Sequence, residues 1–307
     1  MAIKLVIVIP AYNEAERISE TIGALRDARG ELLSAGYEQL IYVVDDGSVD
    51  KTAELANEAG IDRLISHRIN KGLGAAIRSG LRAAQQDKAD MVVKFDADLQ
   101  HDPHDIVALL EPIKNDEADI VYGNRFSNIE YRMPFVRRTG NLVFTRLMRW
   151  LTGWPLTDSQ PGIFGINKFY LKDFYLPGDY NYTQQVLLDA YHKGMRFAHV
   201  DVHFRKRTTG KSFVSFKYPF KVLPQILMLI LAVRPLRIFG NLGLIFLLVG
   251  GIIMGWDISN WIAGDVDKPI QHVNAVLGLS LFGLQTLFFG LLAHLIVQLN
   301  RQSRQSD

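Results

Sequence analysis

Three acids, Asp96, Asp98 and Asp102, crowd one polar turn in the stretch Met91-Val-Val-Lys-Phe-Asp-Ala-Asp-Leu-Gln-His-Asp-Pro103. The stretch opens as a buried strand, Met91 to Phe95. Pro103 closes it and suits the start of a following helix, where a missing N–H costs nothing. Side chains alternate along a strand, so Asp96 and Asp98 point one way and Ala97 the other. Two carboxylates aimed together repel unless a cation lies between them. A hard divalent ion, held by one or two carboxylates and by substrate phosphates, answers that need. Gln100 continues the alternation with a neutral oxygen, so Asp96, Asp98 and Gln100 form the expected metal set. The competing reading is an acidic, solvated loop.

Two more polar turns follow apolar runs: Tyr12 and Glu14 after Lys4-Leu-Val-Ile-Val-Ile-Pro10, and Asp45 and Asp46 after Gln39-Leu-Ile-Tyr-Val-Val44. Runs apolar throughout are the pattern of strands buried on both faces. Helices are expected between them, over Ala15–Leu33, from Val49 through Ala59, and from the Gly72/Gly74 turn to Gln86, with a weaker strand at Asp62–His67. Strands alternating with helices predict a mostly parallel α/β sheet with helices on both faces. Ligands of such sheets bind at the carboxyl ends of the strands, which is where the three acidic turns fall. Further on, a helix to about Lys114, a strand at Ala118–Tyr122, a basic apolar helix at Asn141–Leu151, a turn at Asp158–Phe164, a helix at Tyr182–Lys193 and a strand at Arg196–Phe204 are expected. Arg205-Lys-Arg207-Thr-Thr-Gly-Lys211-Ser212 is the densest basic cluster, and reads either as an anion site facing the acids or as a flank of a membrane anchor. Gly72-Leu-Gly74-Ala-Ala-Ile77 lacks the third glycine of a dinucleotide fingerprint, and Gly210-Lys211-Ser212 lacks the first glycine of a phosphate loop, having Arg205 there.

The balance of charge is +2, which gives no global field for nucleic acid. The absence of cysteine excludes disulfides, thiolate metal sites and a cysteine nucleophile. The run Ile3–Ile9 is too short for a signal peptide. Two uncharged stretches, from Ile238 to Trp256 and from Val273 to Leu299 with His294 its one titratable group, each match the ~20 residues that cross a hydrocarbon core. Arg234 and Arg237 precede the first and Arg301 and Arg304 follow the second, while Asp257, Asp265 and Asp267 lie between; by the positive-inside rule both ends are cytoplasmic. The expected organisation is a cytoplasmic catalytic domain over residues 1–212, amphipathic juxtamembrane helices over 213–235, spans at 236–256 and 273–299 joined by an external loop at 257–272, and a tail at 300–307, in the cell membrane.

Ile9-Pro-Ala-Tyr-Asn-Glu14, Val44-Asp-Asp-Gly-Ser-Val-Asp50, Asn70-Lys-Gly-Leu-Gly74, Phe95-Asp-Ala-Asp-Leu-Gln-His101, Gly123-Asn-Arg125 and Arg207-Thr-Thr-Gly-Lys-Ser212 occur in this order. Together they resemble family 2 inverting glycosyltransferases, in the polyprenyl-phosphate branch that includes dolichol-phosphate mannose synthase, over residues 3 to 212. The resemblance implies a GT-A fold, a nucleotide-diphosphate sugar donor, and Mg2+ or Mn2+. It implies that Pro10, Tyr12, Glu14, Val44 and Asp46 hold the nucleoside with Asp45 beside them, that Asp96 and Ala97 contact nucleotide, and that Asp98 and Gln100 bind metal. Arg125 and Arg207 would contact donor or acceptor phosphate; Arg137, Lys211 and Ser212 fall in the acceptor half. There the sequence departs from the family, with Pro161 and Ile163 in Asp158-Ser-Gln-Pro-Gly-Ile and Lys211 displaced by two places.

The expected reaction is transfer of a hexose from a UDP-glucose or GDP-mannose type donor to a polyprenyl phosphate. A phosphate acceptor is already largely ionised and needs orienting more than deprotonating. A saccharide or protein hydroxyl acceptor would instead require a base, for which Asp158 is the residue in place. A non-catalytic nucleotide-sugar-binding membrane scaffold is the third reading. Expected partners are the nucleotide sugar, the lipid and the membrane, with no nucleic acid and with homo-oligomerisation left open.

Overall fold

The computed structural model describes residues 2–129, 135–176, 179, 182–204 and 235–305; for 126–129, 135–138 and 300–305 it gives the backbone path alone. The chain divides into two compact units, Met1–Phe213 and Val214–Asp307.

In the first unit the apolar runs become strands. β1 (Ile3–Ala11), β2 (Tyr37–Asp45), β3 (Arg63–Ser66) and β4 (Met91–Lys94) lie parallel, and β5 (Ile120–Ile129) and β7 (Phe197–Phe204) continue the same direction. β6 (Phe164–Asn167) runs against β4 and β5 and joins the two halves in the order β3-β2-β1-β4-β6-β5-β7. With one reversed strand in seven, six carboxyl ends share an edge.

Alternation divides the side chains between two helical layers. Leu5, Ile7 and Ile9 of β1 and Val93 of β4 pack with α1 (Ile18–Asp27), α2 (Arg29–Ser34) and α5 (Asp105–Lys114). On the other face α4 (Leu73–Gln86) sits so close that a Cβ on its Gly80 would lie 2.3 Å from Val8 Cγ1. The single helix expected over Ala15–Leu33 is two, broken at Ala28 and followed by Gly30, where glycine costs roughly 1 kcal/mol relative to alanine inside a helix. The other helices among the described residues of this unit are α3 (Thr52–Glu58), α6 (Phe135–Thr152), α7 (Lys168–Asp173) and α8 (Tyr182–His192).

The described residues of the second unit form an antiparallel helical hairpin, α9 (Pro235–Ile262) and α10 (Val273–Gln305). Glycine lets the two backbones meet: a Cβ on Gly243 would stand 2.7 Å from Gly283 O, and one on Gly290 2.8 Å from Phe239 Cβ. Small residues at such contacts are the usual basis of helix pairing in lipid. Both helices, over 28 and 27 residues, are long and apolar enough to cross a bilayer. Asp257 closes the loop end by accepting from the backbone N–H groups of Gln271 and His272 at 3.0 and 2.9 Å, which satisfies donors at the start of α10.

Candidate active site

The three acidic turns do meet at the shared edge. Pro10 and Val44 are register partners near the ends of β1 and β2, and Ala11 is paired with Asp45. The first two turns are tied to each other by hydrogen bonds of the chain itself. Asn13 adopts φ 53°, donates its backbone N–H to Ser48 Oγ at 3.0 Å, and its Oδ1 accepts from Val49 N at 3.0 Å. Thr52 Oγ1 accepts from the N–H of Glu14 at 2.8 Å. Asp50 accepts from Thr52 N and Ala15 N at 3.0 and 3.2 Å. Tyr12 is left exposed above this clasp.

Asp45 and Asp46 are buried and have different tasks. Asp45 Oδ1 accepts from Ser48 N at 3.1 Å and shapes its own turn. Asp46 accepts from the backbone N–H groups of Lys71 and Gly72 at 3.0 and 2.7 Å and faces His67 Nδ1 at 2.6 Å. It latches the segment before α4 to the end of β2. Two glycines make this possible. Gly72 takes φ 93°, and a Cβ on Gly47, at φ 74°, would meet the Ile69 carbonyl carbon at 2.5 Å.

The acid-rich turn differs from its expected geometry. β4 ends at Lys94, so strand alternation does not govern Asp96, Asp98 and Gln100. Leu99 adopts φ 59° instead and curls the turn, and Gln100 N donates to Asp98 Oδ1 at 3.2 Å. Pro103 lies two residues ahead of α5 rather than at its start. Lys94 and Asp96 are the pair that shares a side. The ammonium of Lys94, 1% exposed, stands 2.5 Å from Asp96 Oδ1 and donates to Gly162 O at 2.6 Å. Burial pulls this ammonium down, but Asp96 outweighs it and the group is held above its ordinary value. One Asp96 oxygen is therefore committed to a buried cation of the chain itself. Asp98 is partly exposed and Gln100 is buried. Ala97 is buried, its carbonyl accepting from Thr21 Oγ1 at 3.1 Å.

His101 closes the floor. Its ring lies between Phe95 and Phe204, with centroids 6.2 and 5.1 Å away, and neither ring nitrogen has a hydrogen-bond partner among the described residues. Burial pushes it down to about 4, against the pull of Asp96, so the imidazole is neutral near pH 7. A Cβ on Gly162 would lie 2.1 Å from His101 Nε2 and 3.0 Å from Asp96 Oδ2. Gly162→Ala should therefore displace both groups and cost about 1–3 kcal/mol by overpacking, read as a fall in Tm. Unchanged stability would show that this contact is slack.

Arg125 is delivered by irregularity. β5 and β7 change register between Asn124 and Asn128, a bulge that re-aims the residues within it. The Arg125 guanidinium lies 5.5 Å from the Phe204 ring centroid, and its Nε stands 2.8 Å from Asp158 Oδ2 in ion-pair contact, off hydrogen-bond alignment. Asp158 has no solvent exposure, and its other oxygen accepts from Asn141 Nδ2 and Gln160 N at 3.1 and 2.9 Å. The geometry makes Asp158 a buried holder of Arg125, not a base open to a hydroxyl. The Arg137 side chain, Arg207, Lys211 and Ser212 lie outside the described residues.

Sequence reasoning passed over Lys94, His101, Asn13 and Gly162. A lysine inside the apolar run Met91–Phe95 was the available signal for the first, since a charge on a strand buried on both faces requires a partner.

The donor chemistry of the turn is oxygen from Asp98 and Gln100, with Asp96 beside them. Among the described residues no group of three His, Asp or Glu side chains forms a cage. This donor set fits a hard cation that takes most of its ligands from a substrate diphosphate and from water.

The glycosyl transferase family 2 model matches residues 6–174, and the chain belongs to that family. An uncharacterised protein of Methanocaldococcus jannaschii is 35% identical over 162 residues, 52% of this chain and 63% of that one. The UDP-N-acetylglucosamine–dolichyl-phosphate N-acetylglucosaminyltransferase of Methanococcus voltae is 36% identical over 56% of this chain and 73% of its own. The undecaprenyl-phosphate mannosyltransferase of Micrococcus luteus is 31% identical over 71% of this chain and 83% of its own. These named relatives belong to the polyprenyl-phosphate branch to which the motif order pointed. The fold is shared with glucosyl-3-phosphoglycerate synthase from Mycobacterium tuberculosis, solved with Mn2+, UDP and glucosyl-3-phosphoglycerate, at a TM-score of 0.57, 20% identity, and 74% and 78% coverage of the two chains. The fold is thus GT-A-like.

Proposed function

We propose that the chain is a membrane-anchored inverting glycosyltransferase that moves a hexose from a nucleoside-diphosphate sugar, of UDP-glucose or GDP-mannose type, to a polyprenyl phosphate. The observation that carries the reading is the placing of three acidic turns, two of them tied together, with Arg125 at one sheet edge. Tyr12, Glu14, Asp45 and Asp46, with Pro10 and Val44 beneath them, line the nucleoside side. Asp96 and Ala97 contact the nucleotide, and Asp98 and Gln100, with Asp96 beside them, would hold the cation. When bound, Mg2+ or Mn2+ would supply charge neutralisation for the departing diphosphate.

The acceptor phosphate arrives ionised, so the protein's task is to orient it. Arg125, fixed by Asp158 and Phe204, provides a planar guanidinium suited to bidentate phosphate contact. Arg207, Arg137, Lys211 and Ser212 supply the rest of the acceptor contacts in this reading. A phosphate oxygen forms the new bond to the anomeric carbon as the bond to the diphosphate breaks on the opposite face, which inverts the centre. No general base is needed. Support for a lipid acceptor comes from the names of the relatives and from the two apolar helices.

A panel of nucleotide sugars with and without Mn2+ tests the donor half. A ligand at a hundred times its Kd raises stability by about 2.7 kcal/mol, which a thermal shift registers. A metal-dependent shift with one donor class is expected; no shift with any donor overturns the reading. Transfer to polyprenyl phosphate, and not to saccharide hydroxyls, tests the acceptor half.

The proposed topology places both ends of the chain in the cytoplasm. Because the native chain has no cysteine, single cysteines at Asp265 and Ser303 can be probed in intact cells with an impermeant thiol reagent. Labelling of the loop and protection of the tail are expected. The reverse pattern excludes this orientation.

A further inference from the structure

Lys94 is a buried charge for which the transfer chemistry has no step. It lies in register between Val8 of β1 and Phe164 of β6, in a strand buried along its whole length. Replacing a buried ion pair by apolar residues of similar volume is often neutral or stabilising, so stability alone does not call for a lysine here. The lysine occupies Asp96 instead. Its ammonium, 1% exposed, meets Asp96 Oδ1 at 2.5 Å and Gly162 O at 2.6 Å, and lies 5.6 Å from the Tyr182 ring centroid. The Asp96 side chain is 28% exposed, so this carboxylate has a buried cation behind it and solvent in front. Neighbouring charges are engaged elsewhere. Arg125 is in ion-pair contact with Asp158, and Asp102 accepts from the backbone N–H of His104 at 3.1 Å, just ahead of α5.

We infer that Lys94 is a positioning residue: by holding Asp96 Oδ1 it disfavours a divalent cation at this turn alone and favours one that comes and goes with a nucleoside diphosphate. A lone cation approaching Asp96 from solvent meets a carboxylate already balanced by a fixed positive charge, and that charge repels it. A diphosphate reverses the sign of the effect. The same ammonium attracts its negative charge, and its oxygens supply ligands that the chain does not. Among the described residues no three His, Asp or Glu side chains are grouped to hold a metal by themselves. A hard cation bound by one or two carboxylates needs substrate phosphates to complete its shell. This role rests on the metal-dependent donor site proposed above, which gives the place of the cation and not its dependence on the diphosphate.

The test uses the full chain in detergent and counts bound Mn2+ by paramagnetic resonance, without and with saturating UDP or GDP. The Mn2+ held by free diphosphate in solution is subtracted. The unaltered chain should hold Mn2+ about a hundredfold tighter with one of the two diphosphates, within the usual coupling range of about 5–150-fold. Lys94→Gln keeps an N–H donor for Asp96 and Gly162 O but carries no charge. It should tighten the binding of Mn2+ alone by about tenfold, through loss of one repelling unit charge, and shrink the coupling by the same factor. Adding Asp96→Asn to Lys94→Gln should cancel that gain, since the released carboxylate is its source. Lys94→Arg keeps the charge and should keep the coupling. Lys94→Met, apolar and of similar volume, is read in the same way as Lys94→Gln, so failure of one neutral variant to fold does not decide the result. Tight Mn2+ binding by the unaltered chain that no diphosphate improves overturns the inference alone. So does unchanged coupling in the neutral variants. A Lys94→Arg chain that follows them also overturns it, because shape and not charge is then what matters. Should the unaltered chain bind no Mn2+ with either diphosphate, the donor reading falls and the inference with it.

Discussion

Asp98→Asn is expected to abolish metal-dependent sugar transfer while leaving the fold intact. The substitution removes the charge of the partly exposed carboxylate at the curled turn but keeps an oxygen that can accept from Gln100 N, the hydrogen bond that shapes the turn. Lewis-acid stabilisation of a leaving group contributes several kcal/mol. With tenfold in rate per 1.36 kcal/mol, its loss is a fall of about a hundredfold or more. The measurement is kcat across a Mn2+ titration, with Mn2+ affinity followed separately by paramagnetic resonance. Transfer near the normal rate at saturating Mn2+ would remove Asp98 from the metal site.

Asp96→Ala should behave differently, because its neighbour belongs to the fold. Deleting this carboxylate leaves the Lys94 ammonium buried with Gly162 O and without its opposite charge. Removing one partner of a buried ion pair costs about 3–5 kcal/mol. For a unit of this size each kcal/mol is worth about 2–4 °C, so Tm should fall by about 10 °C. Adding Lys94→Met should recover most of that loss without restoring transfer, since an apolar pair of similar volume no longer buries a lone charge. An unshifted Tm for Asp96→Ala would show that Lys94 is satisfied without it. The two acids of one motif are thus separable: Asp98 by metal affinity, Asp96 by stability.

The order of elements was legible because the centres of β1 and β2, Leu5–Ile9 and Leu40–Val44, are apolar runs and β4 departs from one only at Lys94, a pattern that survives any tertiary context. β6 was not, since Phe164–Asn167 spans four residues and takes its identity from the neighbours between which it inserts. The carboxylates at the sheet edge were found from their positions after strands. Their individual roles were not, because each depends on a distant partner: Asp46 on the backbone of Lys71 and Gly72, Asp96 on Lys94, and Asp158 on Arg125 across the sheet. Alternation failed at Asp96 and Asp98 because the strand stopped at Lys94 and Leu99 took a left-handed conformation that an apolar residue seldom advertises. The hairpin was legible from composition, but its close glycine contacts needed both helices in place.

The latches among the acidic turns bear on how binding would be seen in a calorimeter. Asp46, Asn13 and Asp50 hold their segments in place through hydrogen bonds of the chain itself. A site shaped in advance loses little conformational entropy when it is filled. Heat-capacity change on association follows the apolar area removed from water, and grows large when a segment folds around its ligand. Donor association should therefore carry the small negative heat-capacity change of burying a nucleotide alone. Asp46→Ala, which frees the segment before α4, should make that change more negative as the loop orders around the ligand.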